Sequence, residues 1–151
     1  MKYIICNGLL EEVCKLINLA IQLGGTQIAL WFYPDFNIGD GNDVELNNST
    51  LYEFKHKLDK IEKVTIYNGE KYCDKFTYNL NYDSISVIVS EVVNDDVNLD
   101  SISIYRENET EWFMAMIFHE DVCVVKDLLA HEERILKDNG FNVSDLPPDG
   151  W

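Results

Sequence analysis

The sequence predicts a single α+β domain with a mixed or mostly antiparallel sheet, and three stretches carry that prediction. Residues 2–33 read as strand, helix and strand, a β-α-β arrangement. The middle of the chain alternates polar and apolar residues in short runs, which is typical of an antiparallel meander. The last third joins a seven-residue apolar run to a long helical pattern. No linker or repeat interrupts residues 1–151, so we expect one domain.

The opening unit consists of a strand at Lys2–Cys6, a helix that stops at Gly24-Gly25, and a strand at Thr26–Tyr33. Such a unit would place the two strands parallel, although an antiparallel arrangement stays open. The helix rests on apolar residues at helical spacing: Leu9, Leu10, Val13, Leu16, Ile17, Ala20 and Ile21.

A polar loop and a short helix follow. The loop, residues 34–48, holds Asp35, Asp40, Asp43 and Glu45, but it does not match the EF-hand calcium pattern. A divalent cation is therefore a weak alternative to an ordinary loop. Ser49 or Thr50 would cap the helix. Its apolar stripe is Leu51, Phe54, Leu58 and Ile61.

The meander begins with a hairpin. Asn68-Gly69 is a strong hairpin signal between strands predicted at Val64–Tyr67 and Tyr72–Tyr82. Ser84–Val93 alternates again, with Ile85, Val87 and Val89 on one face, and predicts a further strand. Ser101–Arg106 predicts the next one.

The central strand is predicted at Trp112–Phe118, where apolar residues on both alternate faces indicate burial on two sides. Asp121 would then cap a long C-terminal helix that Gly140 ends. Glu132 is the one polar break in the apolar stripe of that helix. The stripe consists of Val122, Val125, Leu128, Leu129, Ile135 and Leu136.

The charge is the outlier of the composition. Twelve Lys and Arg residues face 27 Asp and Glu residues, which gives a net charge of -15. This argues against direct contact with a nucleic-acid backbone or an anionic membrane. It favours a basic protein partner, a metal cation or simple solubility. The four cysteines lack the spacing of a zinc site, and we expect them to be reduced in the cytoplasm. No signal peptide, metal-binding motif or cofactor motif is predicted.

The excess of acids belongs to residues 76–151, which hold 16 acids and 4 bases. In a meander, the turn at 94–100 and the end of the central strand fall at one end of the sheet. Six acids should therefore gather there: Glu91, Asp95, Asp96, Asp100, Glu120 and Asp121. The opposite end would carry Asp83, Glu107, Glu109 and Glu111, with Arg106 nearby. Solvated charged turns are the alternative interpretation of both sets.

Catalytic signatures are scarce, and we expect no enzyme. His119 and Cys123 would lie one helical turn apart, so a small enzyme that uses this pair with nearby carboxylates is one alternative. A structural or adaptor subunit is the other alternative. The commoner explanation of Cys123 is a partly buried thiol in an apolar segment.

In its overall character the chain resembles the immunity proteins that neutralise bacterial nuclease toxins, including those of contact-dependent growth inhibition systems. The shared features are small size, a single α+β domain, strong acidity, and the absence of a signal peptide or catalytic motif. The resemblance implies an acidic, cytoplasmic antitoxin that covers the cationic active-site surface of a nuclease. It assigns no individual residue.

Overall fold

The computed structural model describes residues 1–5, 9–32, 60–67, 72–92 and 99–148. In chain order the elements are β1 (Lys2–Ile5), α1 (Leu9–Ala20), β2 (Gly25–Phe32), β3 (Lys60–Tyr67), β4 (Tyr72–Asn79), α2 (Tyr82–Val92), β5 (Leu99–Arg106), β6 (Met114–Ile117), β7 (Val122–Val125), α3 (Ala130–Asp138) and the two-residue β8 (Val143–Ser144). A 3₁₀ turn at Phe118–Glu120 joins β6 to β7. The α+β class is confirmed.

All strands belong to one sheet with the order β3-β4-β2-β5-β6-β7-β1-β8, and every pairing between described strands is antiparallel. These pairings make β1 and β2 point the same way, as a β-α-β unit predicts. However, β5, β6 and β7 lie between them, so the two strands are not neighbours.

The core lies between one face of the sheet and the three helices of the described residues. Ile28, Ile104, Met114 and Val125 are in register across β2, β5, β6 and β7, and all are 0% exposed. Leu16 of α1, Ile88 of α2 and Leu136 of α3 join the same apolar cluster. The residues that alternate with these four in-register residues point to the other face of the sheet. They are also buried: Ala29, Ser103, Ala115 and Val124. The central strands are thus buried on both sides, as the apolar run predicted.

The predicted long C-terminal helix is wrong in its first half. Val122–Val125 forms β7, which pairs with β6 on one side and β1 on the other. All four residues are buried, so both alternate faces of this segment are covered. A four-residue apolar run fits a helical stripe and a two-sided strand equally well, and here β-sheet pairing prevails. The helix begins only at Ala130.

The end of that helix is where glycine predicts it. Gly140 has φ +89°, and its N–H donates to Lys137 O at 2.9 Å. Phe141 N–H donates to Leu136 O at 3.1 Å, which completes a Schellman motif.

The predicted strand at Ser84–Val93 is also wrong, because Ser84–Val92 belongs to α2; Val93 lies outside the described residues. The Asn81 side-chain oxygen accepts the Ser84 N–H at 2.9 Å, and Ser84 Oγ accepts the Asn81 N–H at 2.8 Å. This reciprocal cap starts a helix, and its buried side is Ser84, Ile85 and Ile88. The chain therefore leaves the sheet between β4 and β5, and the meander is interrupted there.

The predicted hairpin is confirmed by the pairing of Tyr67 with Tyr72. The strand before it starts at Lys60, so Ile61 lies in β3 and not in the predicted short helix. The remaining residues of that helix and the acidic loop at 34–48 lie outside the described residues.

Candidate functional site

Strand register brings three of the six predicted acids to one end of the sheet. Ser101 at the start of β5 pairs with Ile117, and Ile117 pairs with Val122. Asp100 therefore lies at the same end as the turn that carries Glu120 and Asp121. We call the end defined by Asp100, Glu120 and Asp121 the acidic end.

The β6–β7 turn exposes two of these carboxylates. Asp121 adopts a left-handed conformation, with φ 54° and ψ 34°, and its N–H points back to Phe118 O at 3.4 Å. Aspartate tolerates this conformation better than most residues. The side chains of Glu120 and Asp121 are exposed, whereas Asp100 is half-buried and accepts a hydrogen bond from Ser101 Oγ at 3.2 Å. Asp121 is thus a turn residue and not the predicted helix cap.

The other three predicted acids are less fully described. Glu91 lies in the last turn of α2, which runs from the end of β4 towards the acidic end. That turn contains no basic residue, and its backbone forms the negative end of the helix dipole. The side chain of Glu91, and the whole of Asp95 and Asp96, lie outside the described part of the chain.

The described cations are bound to acceptors elsewhere in the molecule. Lys15, midway along α1, donates to Asn139 O and lies over the Phe141 ring. The other five form ion pairs. These are Lys2 with Asp145 at 2.8 Å and Glu133 at 3.6 Å, Arg106 with Glu132 at 2.9 Å, Lys126 with Glu111 at 3.3 Å, Arg134 with Asp138 at 3.6 Å, and Lys137 with Glu133 at 2.6 Å.

None of these six cations is carried by the strand ends or the turn of the acidic end. Lys75 is the base whose backbone comes nearest in register, two strands away from Ser101, and its side chain is outside the description.

Two cation clusters lie at the other end of the sheet, where β5 ends and β6 begins; we call it the opposite end. The Arg106 guanidinium stacks on Phe113 at 4.3 Å from the ring centroid and binds both carboxylate oxygens of Glu132 at 2.9 Å. Glu132 is 5% exposed, and it also accepts the Leu129 N–H at 2.7 Å. This one carboxylate holds a strand end to the first turn of α3.

The second cluster is more exposed. The Lys126 ammonium lies 3.9 Å from the centroid of the Trp112 ring and 3.3 Å from Glu111. Arg106 and Lys126 are the bases nearest in sequence to the six predicted acids, but both lie at the opposite end, where Arg106 was predicted, and are engaged by aromatic rings and carboxylates.

The geometry behind the predicted Cys–His pair is wrong, because the two residues do not lie on one helix. His119 is in the 3₁₀ turn and Cys123 is in β7. Cys123 is 1% exposed and belongs to the apolar core, where its strand neighbours in register are Met116 and Ile4. Substrate cannot reach a thiol in that position. The His119 side chain is outside the description.

Over the described residues, no group of three or more His, Cys, Asp and Glu side chains is arranged to hold a metal ion. No helix within the described ranges is both long and apolar enough to cross a membrane. No protein-family model, curated protein or solved structure matches this chain.

Proposed function

We propose that this chain is an acidic binding protein that inhibits a basic protein partner, a bacterial nuclease toxin, in the cytoplasm. It would cover the cationic active-site surface of the nuclease and so exclude the nucleic acid. The proposed contact is the acidic end, with Asp100, Glu120 and Asp121 as its described members and Glu91, Asp95 and Asp96 as its predicted ones.

One observation supports the proposal: the register of β5, β6 and β7 brings Asp100, Glu120 and Asp121 to one end of the sheet, where Glu120 and Asp121 are exposed. Acids gathered at one end of a fold repel one another. A cationic partner relieves that repulsion on binding. It also associates faster, because the field of the acidic end steers it towards the contact.

The mechanism needs no chemistry from this chain. A nuclease binds the phosphate backbone with Lys and Arg side chains around its active site. Carboxylates that occupy those cations compete directly with phosphate. Inhibition should therefore be stoichiometric, and it should weaken as salt rises, because both partners are charged.

The test is capture of the partner from the native host on three immobilised proteins. These are the wild type, an acidic-end variant (Asp100→Asn, Glu120→Gln, Asp121→Asn) and a matched control (Glu133→Gln, Asp138→Asn, Asp145→Asn). Asparagine suits the left-handed conformation of Asp121, so this substitution keeps the turn. The control removes the same formal charge from acids that the chain's own bases already compensate.

We expect the wild type and the control to retain a basic nuclease, and the acidic-end variant to bind it at least about tenfold more weakly at low salt. Adding one equivalent of wild-type protein should stop cleavage of RNA or DNA by the captured nuclease. Equal capture by all three proteins, or a captured nuclease that stays active, would reject the proposal.

A further inference from the structure

The opposite end of the sheet exposes apolar side chains where local structure favours polar ones. Leu129 is the N-cap of α3, a position that Ser, Thr, Asp and Asn normally occupy, and it is 58% exposed. The Glu132 carboxylate accepts the Leu129 N–H, so part of the cap comes from inside the helix. Tyr82, the first residue of α2, is 69% exposed. Helix capping does not require an apolar side chain at either of these two positions.

A chain of contacts joins these two helix starts. Leu80, at the end of β4, donates its N–H to Thr26 O at 2.8 Å, and the neighbouring Gly25 pairs with Arg106. Arg106 binds Glu132, which holds Leu129. Tyr82 follows β4 and Leu129 follows β7, and these strands are four positions apart in the sheet, about 19 Å. Both side chains thus fall within the width of one ordinary protein interface.

Acids surround this pair, and the nearby cations Lys2, Arg106 and Lys126 are already engaged by carboxylates. Arg106 and Lys126 are each bound to a carboxylate and an aromatic ring. Four exposed acids lie on the turns and the helix start around them: Asp83, Glu107, Glu109 and Asp127. The surface therefore combines apolar anchors with a negatively charged rim, the arrangement of a binding site with a buried centre and a polar edge.

We propose that the opposite end is a second docking surface, for a protein segment that presents apolar side chains flanked by Lys or Arg. Charge decides against a second copy of this chain. Two copies that met through this surface would oppose the same acids, in a protein whose net charge is -15. This docking surface is independent of the acidic end, so either contact can fail without the other.

The experiment is an NMR titration of the ¹⁵N-labelled chain with two synthetic peptides of Leu and Lys. One peptide is an 18-residue amphipathic helix, and the other has the same composition in an order that destroys the apolar face. We expect the amphipathic peptide to shift the amides of residues 81–83, 107–112 and 127–131. The scrambled peptide should bind more weakly, because it retains the charge but lacks the apolar face.

Two variants separate anchoring from charge. Tyr82→Ser with Leu129→Ser should weaken the amphipathic peptide about tenfold, as loss of two interface anchors does. Leu146→Ser is the control for a lone exposed apolar side chain, since Leu146 is 73% exposed and follows β8, two strands beyond β7, and it should change the affinity much less than the double variant. Thermal melts of both variants check that the fold is kept.

Three results would overturn this docking surface. These are shifts confined to residues 99–101 and 118–122, equal affinity in the double variant, and a doubled mass of the chain in sedimentation that the double variant abolishes. The first would leave the acidic end as the peptide's binding site. The third would make the surface a contact between copies.

Discussion

The two ends of the sheet carry similar numbers of acidic residues, but the described cations are distributed differently between them. At the opposite end, Arg106 and Lys126 are fixed by Glu132, Glu111 and two aromatic rings. At the acidic end, the strand ends and the turn that carry Asp100, Glu120 and Asp121 contain none of the six cations whose side chains are described. The difference teaches that net charge alone does not identify a binding surface. The two ends differ in where the protein's own Lys and Arg side chains form their contacts.

The largest expected effect comes from breaking the buried cluster at the opposite end. Arg106→Met leaves the Glu132 carboxylate buried without its cation, and this should lower the free energy of unfolding by about 3 kcal/mol. Arg134→Met is the control, because its pair with Asp138 is exposed and should contribute less than about 1 kcal/mol. Urea denaturation measures both variants.

A double variant sharpens that result. Replacing both partners, as Arg106→Met with Glu132→Leu, removes the stranded charge and should recover much of the lost stability. A loss in Arg106→Met no larger than that in Arg134→Met would mean that the cluster does not hold β5 to α3.

Sequence reasoning missed this cluster although a signal was present. Glu132 was recognised as the one polar break in an apolar stripe, and Arg106 was the base beside the opposite end. Their pairing was not predictable, because 26 residues separate them and the predicted helix began after Asp121 instead of at Ala130. By contrast, the helix stop at Gly140 and the hairpin at 67–72 depend on local backbone geometry, and both predictions are confirmed.

The two wrong element assignments share a physical cause. Val122–Val125 and Ser84–Val93 are short apolar stretches that suit either periodicity, so pairing partners and caps decide their state. The cap between Asn81 and Ser84 was visible in the sequence as a polar pair three residues apart. The acidic end survives both errors for Asp100, Glu120 and Asp121, because the register of β5, β6 and β7 alone brings these residues together.

The next effect concerns repulsion at the acidic end and is smaller. The variant with Asp100→Asn, Glu120→Gln and Asp121→Asn should melt slightly higher than the wild type at low salt, because it removes like charges. Raising the ionic strength should reduce this difference in melting temperature, because salt screens exposed charges. Calorimetry at 10 and 300 mM salt would measure this. A variant that melts lower at low salt, with the same salt response as the wild type, would show that repulsion there is negligible.

The smallest effect is a pH dependence from the exposed network around Lys2. A hydrogen bond from Lys137 lowers the pKa of Glu133, and a hydrogen bond from Lys2 lowers the pKa of Asp145. Their contribution to stability is therefore present above the ordinary values of 4.5 and 3.8, and it is lost as pH falls through the lowered folded values.

The variant with Glu133→Gln and Asp145→Asn should lose slightly less stability than the wild type between pH 5 and pH 3, because it lacks these two titrating carboxylates. Carboxyl ¹³C NMR of the wild type checks the two pKa values directly. Measured pKa values at or above 4.5 for Glu133 and 3.8 for Asp145 would show that this network does not contribute to acid unfolding.

The most direct test of the central claim is the surface potential at the two ends. It can be measured from the relaxation that cationic and anionic nitroxides induce at backbone amide protons. We predict the strongest preference for the cationic nitroxide at residues 99–101 and 118–122, clearly above that at residues 107–112. An equal or weaker preference at the acidic end would contradict the claim that negative charge is concentrated there.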